Sequence, residues 1–88
     1  MFRHSFRITF QNEDAAFYQF HVFPPVAFWP WLNGWARKRA ANTQVILVEF
    51  CHEADRDRFL ELCCENPYVL KIEEITEDEF TLTPSHHV

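Results

Sequence analysis

Apolar and polar residues alternate from Phe2 to Phe10. Phe2, His4, Phe6, Ile8 and Phe10 share one side, and Arg3, Ser5, Arg7 and Thr9 the other. A period of two predicts a half-buried strand. Gln11 to Ala15 is polar and reads as a turn. Alternation resumes from Phe17 to Phe23, with Tyr18, Phe20 and Val22 on one side and Phe17, Gln19, His21 and Phe23 on the other. Together these predict an antiparallel hairpin, its second strand apolar on both sides. Pro24-Pro25 ends it, because proline cannot donate to a ladder.

Phe28, Trp31, Leu32 and Trp35 then fall at i, i+3, i+4 and i+7, the spacing of one helix face. The expected helix begins near Phe28 or Trp29, takes Pro30 in its first turn and ends in Arg37-Lys38-Arg39, where the helix dipole favours cations. Asn33-Gly34 weakens its middle by about 1 kcal/mol, so burial of the aromatic stripe must hold it. Thr43 to Cys51 contains the unbroken run Val45 to Val48 and predicts a strand covered on both faces. His52 to Asn66 predicts a helix, acidic near its start at Glu53, Asp55 and Asp57, buried along Phe59, Leu62 and Cys63, and stopped by Asn66-Pro67. Tyr68 to Ile75 predicts a strand with Tyr68, Leu70 and Ile72 inward. A turn over Thr76 to Glu79 and a short edge strand over Phe80 to Leu82 complete the pattern.

The predicted order is ββαβαβ. Its strand–helix–strand unit over 43–75 is a crossover, right-handed by rule, which makes those two strands parallel. Both helices then pack on one face of a mixed sheet of four to five strands, a two-layer α+β sandwich. Residues 1–83 are expected to form one domain and 84–88 a flexible tail. The order resembles a ferredoxin-like architecture with a hairpin in place of the first βα step. That resemblance is one of topology over most of the chain, carries no functional motif, and such folds host many functions.

Composition sharpens this. The 88 residues are 48% hydrophobic, with ten phenylalanines and one glycine, which argues for a packed core and against disorder. The longest apolar run, Val22 to Leu32, is broken by prolines and too short to span a bilayer. MFRHSFRITF lacks the charged start, apolar block and cleavage site of a signal peptide. The expected compartment is the cytoplasm, that of the host cell if the gene is phage-encoded. Cys51, Cys63 and Cys64 read as free thiols. Residues 1–42 carry five basic and two acidic groups (+3), and residues 43–88 three basic and eleven acidic groups (−8), giving the net −5. That balance disfavours a general nucleic-acid binder and suits a partner with a basic surface.

No motif carries catalysis. Cys51-His52 and Cys63-Cys64 lack the paired spacing that wraps ligands around zinc, and His86-His87 lies in the tail. Cys51 and His52, neighbours on a strand, point to opposite faces, whereas cysteine catalysis needs the base beside the thiol. Ser5 and Ser85 have no base nearby, and one glycine excludes a Gly-rich phosphate loop. The chain is read as non-enzymatic, without cofactor or metal.

Three sets of residues remain as candidate contacts. The aromatic set is Phe17, Phe23 and Trp29, exposed in this reading and of a type enriched at binding hot spots. The acidic set is Glu53, Asp57, Glu61 and Glu65 along the second helix, with Glu73, Glu74, Glu77, Asp78 and Glu79 after it. It reads as a solvated face with Glu53–Arg56, Asp55–Arg58 and Arg58–Glu61 pairs, or as carboxylates standing in for phosphates. The basic set, Arg37, Lys38 and Arg39, reads as a helix terminus or as phosphate contacts. Thr43 to Cys51 does not resemble the basic, aromatic strand of an RNA-recognition motif.

The expectation is a small protein-binding module, an inhibitor that blocks a larger host or defence complex. In size and composition it resembles the inhibitors that phages and mobile elements encode, anti-CRISPR proteins among them. Its partner is another protein or complex, one that itself binds nucleic acid if the carboxylates act as mimics. The alternatives are a structural subunit or homodimer, and a weak single-stranded nucleic-acid binder. No membrane partner is expected.

Overall fold

The computed structural model describes residues 3–22 and 33–85. In chain order it contains β1 (His4–Phe10), α1 (Glu13–Val22), β2 (Ala36–Ala40), β3 (Val45–Phe50), α2 (Glu53–Glu65), β4 (Val69–Ile75) and α3 (Glu77–Leu82). The strands form one sheet in the order β2-β3-β1-β4, and every neighbouring pair is antiparallel. The expected α+β class and two-layer architecture hold. The connectivity differs, because the order is β-α-β-β-α-β with a closing helix and the sheet is not mixed. β3 and β4 run the same way, as a crossover through α2 requires, but β1 lies between them and pairs with both.

Where the hairpin was expected, Glu13–Val22 is a helix. Asn12 caps it, Oδ1 accepting the Ala15 N–H at 2.8 Å, and Glu13 and Asp14 occupy the first turn, where the dipole favours acids. Apolar residues on every side let the same stretch pass for an alternating strand; the cap decides between the two.

The helix expected from Phe28 onward is overturned in its described part. Asn33 and Gly34 form a bend, and Ala36–Ala40 is the edge strand β2. Phe23, Phe28, Trp29, Trp31 and Leu32 lie outside the described residues. The register pairs Ala36, Lys38 and Ala40 with Phe50, Val48 and Ile46, so these face the core side and Arg37 and Arg39 the other. Partners elsewhere in the fold, rather than a helix dipole, hold the three cations.

α1 and α2 cover one face of the sheet. Phe6, Ile8, Phe10, Ile46, Val48 and Phe50 pack there with Ala16, Phe59 and Cys63, and the Phe50 and Phe59 rings lie 5.0 Å apart. Burying each large apolar side chain contributes about 1.5–3 kcal/mol. The predicted buried face of α2 holds for Phe59 and Cys63, with Leu62 half-buried. In β4 the register slips between Thr9 and Phe10, leaving Leu70 as the extra residue of a bulge. Tyr68 and Leu70, expected inward, are therefore exposed, and Val69 and Ile72 pack against the core.

β3 is covered on both faces, with Leu47 and Glu49 buried on the side away from α1 and α2. The cover is α3, where a short edge strand was expected. Thr76 Oγ1 accepts the Glu79 N–H at 3.1 Å, the helix-start signature of a Thr followed three residues later by Glu. Phe80 is 2% exposed, with the guanidiniums of Arg37 and Arg39 at 5.2 and 5.7 Å from its ring. Arg39 also donates to the carbonyls of Phe80, Thr81 and Thr83 and to the Ser85 hydroxyl, which satisfies the end of α3. Residues 86–88 of the expected tail lie outside the described residues.

Candidate functional site

The acidic residues divide into paired and unpaired groups. Arg7 donates to Glu73 at 3.2 Å and to Glu79 at 2.8 Å, Lys71 lies 3.4 Å from Glu73, His4 meets Glu74 at 2.8 Å, and Arg3 pairs with Glu77. The hydrogen bond from Arg7 holds the Glu73 carboxyl below its ordinary range, and the same bond raises Arg7. These carboxylates tie α3 and β4 to β1.

On α2, Glu53 and Asp57 share Arg56 at 3.6 and 2.8 Å, and Glu61 meets Arg58 at 3.6 Å. The expected Asp55–Arg58 pair does not form. Asp55 is 2% exposed and accepts from the backbone N–H groups of Asn33 and Gly34 at 3.0 and 3.1 Å, and from Asn33 Nδ2 at 3.1 Å. It anchors the chain entering β2 to the start of α2. Glu13, Asp14, Glu65 and Asp78 have no cationic partner among the described residues.

The basic triplet is engaged within the fold. Arg37 Nε donates to Glu49 at 3.0 Å, Lys38 donates to the carbonyl of Phe20 at the end of α1, and Arg39 closes α3. Burial pulls the Lys38 amine below its usual range.

Of the aromatic set only Phe17 is described. It is 54% exposed, and its neighbour Tyr18 is 61% exposed. Ala15, Ala16 and Phe20 turn to the core; Phe17 rests on His21, with ring centroids 4.4 Å apart. Glu13 lies one turn before Phe17 and Asp14 one turn before Tyr18. The outer surface of α1 therefore carries two exposed aromatics beneath two unpaired carboxylates. Among the described residues only the inner side of α1 is covered, which leaves these aromatics on its outer side.

A concave feature escaped the sequence. Arg3, Trp35 and Arg37 line a hollow of about 250 Å³. Trp35 directly precedes β2, and Cys51 Sγ accepts its N–H at 3.1 Å. Arg3 and Trp35 are distant in sequence, so no local spacing signals their meeting.

Elsewhere a cavity of about 30 Å³ lies between the helices and the sheet, lined by Ile8, Val48, Phe59 and Cys63 among others, with room for little more than water. Burial, and the neighbouring Cys64 to a lesser degree, pushes the Cys63 thiol up to about 12, which makes it an unreactive packing group. The described residues hold no cluster of three metal-binding side chains, and none of their helices is long and apolar enough to cross a membrane. Compared with known proteins, the chain matches no family model, no curated sequence and no solved structure.

Proposed function

We propose that this chain is a non-enzymatic protein-binding module whose contact surface is the outer side of α1. The observation that carries the reading is the adjacent pair Phe17 and Tyr18, each more than half exposed, on a helix whose carboxylates Glu13 and Asp14 have no cationic partner among the described residues. Aromatic anchors rimmed by unpaired acids suit a partner that is apolar at the centre of its contact and basic at its edge. A chain of this size bound to such a surface acts as a steric blocker, an inhibitor of a larger complex, and needs no cofactor. The self-paired carboxylates of β4 and α3 make a weaker phosphate mimic than their number implies.

The same aromatics support a second reading, a homodimer or assembly subunit. The sheet edges favour it less, because β2 ends the sheet in a cationic strand and β4 carries a bulge, both of which discourage edge pairing.

The test is light scattering and bait capture with wild type and Phe17→Ser/Tyr18→Ser. We expect a monomer, an unchanged melting temperature in the variant, and loss in the variant of a partner that wild type captures less well as salt rises. A salt-independent dimer abolished by the double substitution would move the assignment to self-association. Capture unaffected by the substitutions would remove α1 as the contact.

A further inference from the structure

We infer that Arg3, Trp35 and Arg37 form a binding site for the phosphate monoester of a nucleotide, free or at the end of a single strand. This inference is independent of the reading for α1. Among the described residues the wall of the hollow is two guanidiniums and an indole, with no carboxylate, in a chain of net charge −5. The guanidinium carbons of Arg3 and Arg37 stand 5.5 and 5.3 Å from the Trp35 ring centre, which fixes the three groups relative to one another.

Arg37 is held from behind. Glu49, 0% exposed, takes its Nε–H and also accepts from Ser5 Oγ at 3.1 Å, while the arginine side chain remains 52% exposed. Guanidinium has five N–H donors in a rigid fork, so donors remain for a ligand after Glu49 is satisfied. Besides its contact with Trp35, Arg3 is paired among the described residues with Glu77 alone, both partners reaching solvent. Such a pair is weak, and Glu77, which is not part of the lining of the hollow, takes a hydrogen of Arg3 Nη1 for which an incoming oxyanion would compete.

A carboxylate offers two oxygens and a single charge. A phosphate monoester offers three oxygens and about −1.5 to −2 charge, enough to bridge two arginines bidentately. Trp35 remains 39% exposed, so part of the indole stays open beside the guanidiniums for contact with a base. Of the basic triplet singled out in the sequence, only Arg37 reaches this hollow, and its companion there is the distant Arg3.

The experiment is a heteronuclear NMR titration following the Trp35 indole N–H and the Arg3 and Arg37 Nε–H signals. The probes are inorganic phosphate, a mononucleotide, a short single-stranded oligonucleotide and a glutamate-rich peptide. The mononucleotide should shift all three signals with half-saturation below about 1 mM. Arg3→Gln should abolish the shifts while leaving the melting temperature in place, and Glu77→Gln should tighten binding by up to about fivefold by removing the competitor. Equal response to inorganic phosphate would mark a phosphate-only site, and much tighter oligonucleotide binding would mark a strand as the ligand; both support the assignment. No shift with any phosphate probe, a response to the acidic peptide alone, or unchanged affinity in Glu77→Gln would overturn it.

Discussion

Phe80→Ala tests whether α3 truly closes the second face of the sheet. Phe80 is the one buried residue of this six-residue helix, which is too short to persist without tertiary contact. Removing so buried a ring costs the lost transfer energy plus the cavity left behind, together about 3–5 kcal/mol. Loss of the cation–π contacts with Arg37 and Arg39 adds about 0.5–1 kcal/mol each at such half-exposed positions. Against a total stability of about 5–15 kcal/mol, the variant should be barely folded, with Leu47 and Glu49 opened to water. Phe80→Leu keeps most of the apolar volume and should lose only about 1–1.5 kcal/mol. Urea denaturation followed by circular dichroism measures both; if the alanine variant does not fold, the leucine variant still reports. A loss below about 1 kcal/mol for Phe80→Ala would mean that α3 is not docked as described.

Three further outcomes follow from the packing. A Cβ on Gly34 would lie 2.5 Å from Cys51 Sγ, so Gly34→Ala should cost about 1–3 kcal/mol, and Cys51→Ala should recover most of it in the double variant; an unshifted melting temperature in the single variant would contradict this approach. A thiol reagent should label exposed Cys64 in the native protein and buried Cys63 only on unfolding, so rapid native labelling of Cys63 would refute its burial. Glu73 titrates below the ordinary 4.5 when folded, so its contribution is complete above about pH 4.5 and is lost as pH falls through the lower folded value. The stability of Glu73→Gln should therefore fall less steeply than wild type below about pH 4.5 in urea melts, and parallel curves would show the pair to be inert.

Much of the sheet was legible because its signals are local. β1 alternates cleanly, β3 is apolar without a break, and α2 has an acidic start and a proline stop. α1 passes for a strand because Phe17 to Val22 carries apolar residues on both alternating faces, so a period of two fits as well as one of 3.6. The decisive signal was the Asn12 cap with Glu13 and Asp14 behind it. β2 was obscured for the opposite reason: Ala-Arg-Lys-Arg-Ala has too little apolar area to show a period, and its strand state depends on Glu49, Phe80 and the end of α1. The Thr76–Glu79 cap was present in the sequence and was read as a turn. Of the candidate site, Phe17 was visible as an aromatic excess. The pairing of Glu73, Glu77 and Glu79 with Arg3 and Arg7 was not, because those partners lie some 70 residues apart in the chain.

The contact assigned to α1 is tested most directly by site-specific photocrosslinking in the cells that carry the gene. A benzophenone side chain is placed in turn at Tyr18, at Arg58 on the outer face of α2 and at Leu82 in α3. The account predicts one dominant crosslinked partner protein from position 18, absent from positions 58 and 82 and lost when Phe17→Ser is added. Crosslinking of the same partner from position 58 or 82 but not from 18, or a crosslink at 18 only to a second copy of this chain, would contradict it.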